Sequence, residues 1–467
     1  MKFRTEKDFL GEVKIPFDVY YGSHTARAKS NFKISGLKSP DIFRKALGII
    51  KLAAAQTNVE LGLIKKKEGS AIQQACKEFI EGKFNDHFKL DIFQAGAGTG
   101  YNMSANEIIA NRANEILGAK KGEYKYVHPN NHVNMAQSSN DVIPTATRLS
   151  ALMTIPFLIK ELKELEKEIG LKQKKYAKTL KVARTHLQDA VPITIGQELD
   201  SYRQALQKSR EFIEERSKDL KILAIGGTAV GTGITADPDF KPLMLKNLSK
   251  ILKIKFEKAK NATEIANNMN SFLNISSALK SLAINLLNIS GDLKIMNSGP
   301  MAGLNEVTLP AVQPGSSIMP GKVNPSILES IDMISAQVIG NDKTIEISAQ
   351  KSQFELNVMC PIIMFNLLLS ITILTNGIRT FRELCVKNLK YNEENIKKTF
   401  ENSLVIGTAL VPHLGYELTA EIIKSAIKKK TNIKEEILNR KLFDKKDLEK
   451  IFSVDAITHP VRLRKNR

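Results

Sequence analysis

A short segment, GSSIMPGKVNP at residues 315–325, combines the side chains that proton transfer on a small anion requires. Ser316 offers a hydroxyl for proton transfer, Lys322 a positive point charge and Asn324 a neutral hydrogen-bond donor. Glycines flank these groups, so the loop can move and close over a ligand. The segment predicts a mobile catalytic loop, although a polar surface loop without chemistry has the same composition.

Three other segments are rich in hydroxyl and amide side chains, which suit recognition of a small dicarboxylate and stabilisation of a developing enediolate. The glycines at 96–100 lead into a predicted helix, where exposed N–H groups and a threonine hydroxyl indicate an oxyanion pocket. The other two segments lie at residues 128–145 and 184–198, and their candidate polar side chains precede Pro144 and Pro192. Together the three segments contribute the candidate binding residues Thr99, Ser138, Ser139, Asn140 and Thr185, and they contribute His186, which joins Ser316 as a candidate catalytic residue.

Metal and nucleotide sites receive less support from the sequence. His128 and His132 are four residues apart, but Pro129 disfavours a shared helical face and no acidic third ligand stands at a suitable spacing. GAGTG resembles a dinucleotide fingerprint only superficially, because no clear βαβ unit surrounds it. A lone histidine such as His186 is more often structural than catalytic. We therefore expect no metal ligands and no required cofactor.

Composition narrows the class of protein. The chain has 467 residues, of which 42% are hydrophobic, and 69 Lys and Arg against 49 Asp and Glu give a formal charge of +20. The lysines are scattered and have no interleaved aromatics, so solvated faces are favoured over a nucleic-acid surface. Three widely spaced cysteines fit a reducing compartment. No signal peptide is evident, and the most apolar stretch, 361–374, is shorter than a membrane span. These features predict a soluble cytoplasmic protein.

Apolar residues at helical spacing predict several long helices that must position these segments. The most regular stripe alternates steps of three and four residues, and comprises Phe272, Ile275, Leu279, Leu282, Leu286, Ile289, Leu293 and Met296. Similar stripes cover 202–223 and 155–169, and the helix that carries the second of these is expected to begin after Pro144. A fourth long segment runs from Pro361 to Leu384. Helices of this length must pack side by side, which predicts a mainly all-α fold with a long-helix bundle.

Breaks in the helical pattern predict three domains. Residues 1–139 are expected to form an N-terminal mixed, mostly helical domain, and residues 140–392 the central bundle. The tail at 393–467 is richer in Lys and Glu and is expected to form a small helical domain. Residues 299–325 form the longest stretch without helical periodicity, and loops of that length are usually functional or disordered.

The same segments resemble, in order, those of the fumarase/aspartase superfamily over essentially the whole chain. The matching motifs are DFLGE (8–12), GAGT (96–99), HPNNHVN (128–134), QSSND (137–141), RTHLQDAVPITIGQE (184–198), GGTAVGTG (226–233), AGLNEVTLP (302–310), GSSIMPGKVNP (315–325) and FELNVM (354–359). The resemblance implies a homotetramer in which five long helices per subunit build a twenty-helix core. It also implies that three subunits contribute to each active site.

The resemblance also implies residue roles. Ser316 is expected to be the base, with loop N–H groups near Ile318 and Met319 stabilising its alkoxide. Lys322 and Asn324 are expected to clamp the α-carboxylate. Further roles are implied for the β-carboxylate ligands Thr99, Ser138 and Ser139, for Thr185 and His186 beside the α-carboxylate, and for Asn140 near the amino group. No cofactor is implied, although a divalent cation can activate family members at a separate site.

The motifs favour reversible deamination of L-aspartate to fumarate and ammonia over the alternative, hydration of fumarate to L-malate. Ala97 stands where the hydratases usually have a serine, and QDAVP and AGLNEVTLP match the ammonia-lyases. QSSND, GGTAVGTG and His186 favour the hydratases instead. Departures from both groups leave a drifted, non-enzymatic relative as a further alternative, and they lie at Ser104, Asn131, Met301, Cys360 and Val411.

Overall fold

A computed structural model describes residues 2–460 and is built mainly of helices. The α-helices of the described residues are α1 (Ser23–Asn31), α2 (Asp41–Glu60), α3 (Lys66–Glu81), α4 (Thr99–Ile116), α5 (Ser139–Lys175), α6 (Ile195–Arg216), α7 (Phe240–Leu252), α8 (Ala262–Asn267), α9 (Asn270–Asn297), α10 (Ser326–Ala349), α11 (Cys360–Leu384), α12 (Glu393–Asn402), α13 (Val411–Leu414), α14 (Tyr416–Lys429), α15 (Ile433–Asn439), α16 (Lys445–Ile451) and α17 (Val454–Thr458).

The strands of the described residues are short and form two-stranded pairs only. They are β1 (Phe3–Asp8), β2 (Gly11–Pro16), β3 (Leu180–Thr185), β4 (Gln188–Thr194), β5 (Ile222–Leu223), β6 (Glu257–Lys258), β7 (Val307–Thr308), β8 (Ser352–Gln353), β9 (Leu356–Asn357) and β10 (Lys390–Tyr391). The pairs β1–β2, β3–β4, β7–β10 and β8–β9 are antiparallel, and β5–β6 is parallel. The predicted mainly all-α class is confirmed.

Five helices of the described chain have 22 residues or more: α5, α6, α9, α10 and α11. This number agrees with the five long helices that the family resemblance implies. All eight residues of the regular stripe lie on α9 and are at most 4% exposed. Removing such a stripe from water is what stabilises a long helix, because helix propensity alone is a weak contribution.

Two predicted helix boundaries were wrong. α5 begins at Ser139, five residues before Pro144, so this proline lies inside the helix. Pro144 is the sixth residue of the helix, just beyond the four N–H groups that lack intrahelical partners, so it removes one hydrogen bond in the second turn. α6 ends at Arg216, and the last two residues of its stripe continue in a 3₁₀ turn and in β5. Leu220 and Leu223 are nevertheless fully buried, so the spacing identified core residues beyond the helix.

The sequence argument against a membrane span was also wrong in its premise. The stretch at 361–374 is part of α11, which has 25 residues. By length and composition alone, three helices of the described chain are long and apolar enough to cross a membrane: Ser139–Lys175, Asn270–Asn297 and Cys360–Asn388. Between 50% and 72% of their most apolar windows is buried inside the chain itself.

The chain divides into two compact units, each built from three separate stretches. The first contains the residues up to Lys160, Ser209–Ala283 and Ile334–Thr375, and it includes α1–α4 and the start of α5. The second contains Glu161–Lys208, Ile284–Met333 and the residues from Asn376 onward. Within this second unit the C-terminal helices surround an apolar cluster that includes Leu410 and Ile422. The three domain boundaries predicted from the sequence stay a prediction.

Candidate active site

The first group of candidate residues begins at Thr99, the first residue of α4. The backbone of Ala97 and Gly98 before it is left-handed, with φ of 58° and 71°. A side chain at Gly98 would approach Ile143 to 3.1 Å, and one at Gly96 would approach the carbonyl oxygen of Val358 to 2.8 Å. This tight turn therefore requires glycines, and it fixes where α4 and the Thr99 hydroxyl begin.

Ser138, Ser139 and Asn140 form the start of α5, and Asp141 anchors them. The Asp141 carboxylate accepts hydrogen bonds from the Ser138 N–H at 2.9 Å, the Gly226 N–H at 3.0 Å and the Thr228 N–H at 2.9 Å. Burial raises the pKa of Asp141 to about 7, although these three donors oppose the rise.

Asn140 joins the same helix start to the segment 226–233. Its Nδ2 donates to the carbonyl oxygen of Ala229 at 2.7 Å, and this bond orients the side-chain amide. The glycine-rich motif GGTAVGTG therefore serves as the support of the helix start that carries the predicted ligands.

The starts of α4 and α5 are linked directly, because Asn102 Nδ2 donates to Ser139 Oγ at 3.0 Å. The positive end of a helix dipole and its free N–H groups favour a bound anion. Since Ser139 accepts this bond and Ser138 Oγ accepts one from the Asn140 N–H, both hydroxyl protons are left for another acceptor. Neither hydroxyl donates to a group among the described residues. The arrangement suits two donors to a carboxylate.

Thr99 also lines a cavity of about 760 Å³ within the first unit. Basic side chains of Lys7, Arg27 and His24 face this cavity together with the apolar Phe9. The Arg27 guanidinium is paired with Asp8 at 2.8 Å, and burial lowers the pKa of His24. The cavity provides space for a small polar ligand beside the start of α4.

The second group of candidates lies on the long irregular segment before α10. Ser316 Oγ accepts hydrogen bonds from the Ile318 N–H at 3.2 Å and from the Met319 N–H at 3.0 Å. These are the two backbone donors that the family resemblance implied. Such donors stabilise an oxyanion, so they favour the deprotonated form of the serine that a base requires. The catalytic role of Ser316 itself stays a prediction.

The same loop is closed at its neck. The Gly315 N–H donates to the Lys322 carbonyl at 2.8 Å, and Asn324 Nδ2 donates to the Gly315 carbonyl at 2.7 Å. Lys322 is exposed and has no ion-pair partner among the described residues, so its charge is available to a ligand. Asn324 thus has a structural contact in addition to its predicted role as a carboxylate ligand.

Thr185 and His186 lie at the tip of the β3–β4 hairpin. His186 and Leu187 form its two-residue turn, with φ of 55° and 60°. Both left-handed residues match the primed turns that tight hairpins use, although neither is the usual glycine or asparagine. Thr185 and His186 are exposed, and no hydrogen bond joins them to the Ser316 loop within the described chain.

A buried ion network holds the base of this hairpin. Lys181 contacts Glu198 at 2.7 Å and Glu306 at 3.2 Å, and Arg184 contacts Glu306 at 2.6 Å. Lys181 and Glu306 are each 2% exposed in their side chains. Because a buried charge is strongly unfavourable without its partner, this network fixes the hairpin to the segment that contains AGLNEVTLP.

The structure therefore groups the nine candidates in two sets. Thr99, Ser138, Ser139 and Asn140 come together in the first unit, at two helix starts. Thr185 and His186 at the hairpin tip, and Ser316, Lys322 and Asn324 on the loop, belong to the second unit.

No group of three or more His, Cys, Asp or Glu side chains in residues 2–460 has the arrangement of a metal site. His132 Nδ1 accepts a bond from the His128 N–H, and His128 Nδ1 accepts bonds from the N–H groups of Asn130 and Asn131. These bonds build the π-helical turn Pro129–Val133, which gives both histidines a structural role.

Sequence reasoning missed a polar cluster behind the first set, which consists of the buried Lys51, Asn102 and Gln137 and the half-buried Asn134. A signal was present, because Lys51 interrupts the apolar run from Leu47 to Ala55 in α2. A charged residue inside such a run either lies at the exposed edge of the helix or is buried in contact with other polar groups.

Two of the departures from the family motifs differ in their surroundings. Met301 is 95% exposed, whereas Cys360 is buried near the Arg148 side chain.

Comparison with known proteins agrees with this architecture. The sequence matches the family described as Lyase over residues 11–340 and that described as Fumarase C C-terminus over residues 406–459. It is 45% identical over 457 residues to an aspartate ammonia-lyase of a Bacillus species, covering 98% of each chain. It is 42% identical over 458 residues to a fumarate hydratase class II of Bradyrhizobium diazoefficiens, covering 98% of this chain and 97% of that protein. The crystal structure of recombinant class II fumarase from Schistosoma mansoni matches with a TM-score of 0.94 at 36% identity, covering 97% of this chain and 99% of that chain. The chain is therefore an enzyme of the lyase class and belongs to the fumarase/aspartase superfamily.

Proposed function

We propose that this enzyme converts L-aspartate reversibly to fumarate and ammonia, which makes it a carbon–nitrogen lyase. The observation that carries the proposal is the geometry at Ser316, whose Oγ receives two backbone N–H groups. A serine hydroxyl is a poor base in water, and donors aimed at its oxygen stabilise the alkoxide. Abstraction of a weakly acidic C–H proton requires a base of that strength.

In the proposed reaction, Ser316 takes the proton from C3 of L-aspartate. The electron pair of that C–H bond moves into the β-carboxylate, whose negative charge doubles. The paired donors Ser138 and Ser139, with Thr99, hold this group and favour the intermediate over the substrate. The electron pair then forms the C2–C3 double bond while the C2–N bond breaks. Ammonia leaves with the C–N pair, and the proton on Ser316 passes to solvent.

The choice of ammonia over water rests on the surroundings of Asn140. Its Nδ2 is engaged by the Ala229 carbonyl, so Oδ1 is the atom presented to a ligand. A carbonyl oxygen accepts hydrogen bonds, and a substrate ammonium group can only donate them. Ala97, which is buried next to Thr99, adds no hydroxyl that could order a water molecule. The relative named as an aspartate ammonia-lyase at 45% identity supports the same choice.

The proposal includes a homotetramer in the cytoplasm, without a required cofactor and without nucleic-acid or membrane partners. A divalent cation that activates from a separate site is compatible with it. Large apolar side chains remain exposed on the long helices, and they include Phe157, Ile284, Ile295, Met333 and Ile347. Other subunits would cover them in a helical bundle. The exposed hairpin tip with Thr185 and His186 would then reach a neighbouring subunit's site.

The test is a direct assay of both substrates with the purified protein. We expect the absorbance of fumarate at about 240 nm to rise with L-aspartate and to stay nearly flat with L-malate, because a site built for one leaving group rejects the other by orders of magnitude. Faster turnover of malate would contradict the proposal.

Fumarate hydratase is the second candidate. It is favoured by the adjacent serines Ser138 and Ser139, and by relatives at 42% identity that are named fumarate hydratase. The same assay separates the two activities. If both substrates stayed without turnover, the departures at Met301 and Cys360 would point to a drifted relative.

A further inference from the structure

Lys51 is buried in the middle of α2, and its ammonium group contacts only neutral side chains. Nζ donates to Asn134 Oδ1 at 3.1 Å and to Gln137 Oε1 at 2.9 Å. Gln137 cannot turn away, because its Nε2 donates to the carbonyls of Val133 and Met135. No carboxylate of the described chain forms an ion pair with Lys51. A buried ammonium without a paired carboxylate is unfavourable for folding, so packing alone does not explain it.

A chain of hydrogen bonds leads from this ammonium to the predicted carboxylate pocket. Asn134 Oδ1 accepts from Lys51 and also from Asn102 Nδ2 and Asn106 Nδ2, each at 3.1 Å. Asn102 Nδ2 in turn donates to Ser139 Oγ at 3.0 Å. Both N–H hydrogens of the Asn102 amide are thereby engaged, so Asn134 on one side and Ser139 on the other fix its orientation.

This chain determines the direction of the Ser139 hydroxyl. Because Ser139 Oγ accepts from Asn102, its own proton must point elsewhere, and no group among residues 2–460 accepts it. The proton is left for a ligand at the start of α5. Lys51 and Asn102 both donate to Asn134 Oδ1, so Lys51 fixes the position of that oxygen and, through it, the Asn102 amide. Its positive charge also favours negative charge that develops in the pocket.

Two ionisable groups influence Lys51 electrostatically without hydrogen bonding to it. Asp141 is occupied by three backbone N–H groups, and burial raises the pKa of the Cys76 thiol, so it stays neutral. Burial lowers the pKa of Lys51 to about 7. A dianionic ligand nearby favours the charged form, so Lys51 is protonated in the complex.

We propose that Lys51 is a positioning residue of the carboxylate pocket, acting through Asn134 and Asn102 to hold Ser139 as a donor and to favour the doubled charge of the intermediate. This inference rests on the proposed function. A purely structural role for Lys51 makes a different prediction, namely that its loss affects stability and all ligands of the pocket alike.

The experiment compares two ligands in wild-type protein and in Lys51→Met, which keeps the length of the side chain. Succinate represents the substrate carboxylates. The preformed nitronate of 3-nitropropionate has the same net charge but places a formal negative charge on each of two oxygens of one group, as the intermediate does at its β-carboxylate. We expect nitronate binding to weaken by about 30-fold or more and succinate binding by less than about threefold, because a nearby positive charge matters most where the negative charge of the ligand is concentrated on one group. Equal weakening of both ligands, or none, would overturn the proposal.

Two variants complete the test. Arg44→Met removes another buried cation from α2, one that pairs with Asp41 at 2.7 Å away from the pocket, and it should leave the ratio of the two Kd values unchanged. Asn102→Leu interrupts the chain while Lys51 stays, and it should lower nitronate affinity selectively even if Lys51→Met fails to fold. A selective loss in Arg44→Met, or none in Asn102→Leu, would contradict the inference.

This binding test can fail independently of the proposed function. Both ligands report on the pocket whether aspartate or malate is the substrate, so a wrong leaving group leaves this test intact. Wild-type protein that binds neither ligand would refute the carboxylate pocket itself and, with it, the role of Lys51.

Discussion

The side-chain amide of Asn324 donates a 2.7 Å hydrogen bond to the carbonyl oxygen of Gly315, and this bond closes the neck of the loop that carries Ser316. The residue predicted to bind a carboxylate therefore also fixes the position of the predicted base. Any ligand that engages Asn324 acts on an element already coupled to the loop. Closing a loop over a ligand is a common way to assemble a catalytic site and to exclude water.

Substitution of Gly315 should open this neck. An added Cβ would approach the Lys322 carbonyl and the Asn324 N–H to 2.6 Å, and both are backbone atoms that cannot move aside cheaply. We expect Gly315→Ala to lower kcat roughly a hundredfold with little change in Tm, because small displacements of a reacting group cost that much. Gly321→Ala is the matched control, since nothing lies within 4 Å of its added Cβ. Its left-handed backbone costs only ~1 kcal/mol, so kcat should fall about tenfold or less. Equal effects of the two variants would contradict the proposed closure.

Ser316→Ala should abolish most of the activity while the protein stays folded. The expected loss is at least ~3 kcal/mol of transition-state stabilisation, or roughly a hundredfold or more in kcat. Ser317→Ala provides the comparison on the neighbouring, exposed serine and should change kcat less than about tenfold. Activity near that of the wild type in Ser316→Ala would exclude this serine as the base.

Sequence patterns predicted the elements that depend on local spacing. The stripe from Phe272 to Met296 identified α9 and its buried face, because a helix places such residues on one side. The backbone donors to Ser316 were implied by the family resemblance and not by spacing. In contrast, spacing carries no information on which distant polar side chains meet. Lys51 lies more than 80 residues from Asn134 and Gln137, and only tertiary packing makes it a neighbour of the pocket. For the same reason, the Asn140 contact with Ala229 could not be predicted.

Stability in acid should depend on Glu436, which is buried in the C-terminal helices. Its carboxylate accepts from Ser425 at 2.6 Å, Arg440 at 2.9 Å and Lys429 at 3.0 Å, and these contacts lower its pKa to about 2. Because the folded pKa lies below the unfolded value near 4.5, the stabilisation is complete above about pH 4.5 and is lost as the pH falls towards 2. We expect Glu436→Gln to have a lower Tm than the wild type at pH 6, and the difference to shrink at pH 3.5.

Glu435→Gln is the control for that measurement, since Glu435 is exposed one residue away on α15. It should follow the wild type at both pH values. A Tm difference between Glu436→Gln and the wild type that stays constant down to pH 3.5 would show that the Glu436 charge is not what stabilises these helices.

Substitution of Ala97 tests which feature selects the leaving group. Ala97 is 4% exposed and stands two residues before Thr99, so a serine there would add a buried hydroxyl to the turn that leads into this predicted ligand. Such a group can bind water or a substrate hydroxyl, and a buried hydroxyl left unpaired beside ammonia is unfavourable. We expect Ala97→Ser to lower the ratio of kcat/KM for L-aspartate to that for L-malate by at least ~10-fold. Ala97→Gly is the matched control: it relieves the left-handed backbone, with φ of 58°, without adding a hydroxyl, and it should preserve the ratio. An unchanged ratio in Ala97→Ser would exclude this position as the discriminating one, and the orientation of the Asn140 amide would then be the feature that selects ammonia.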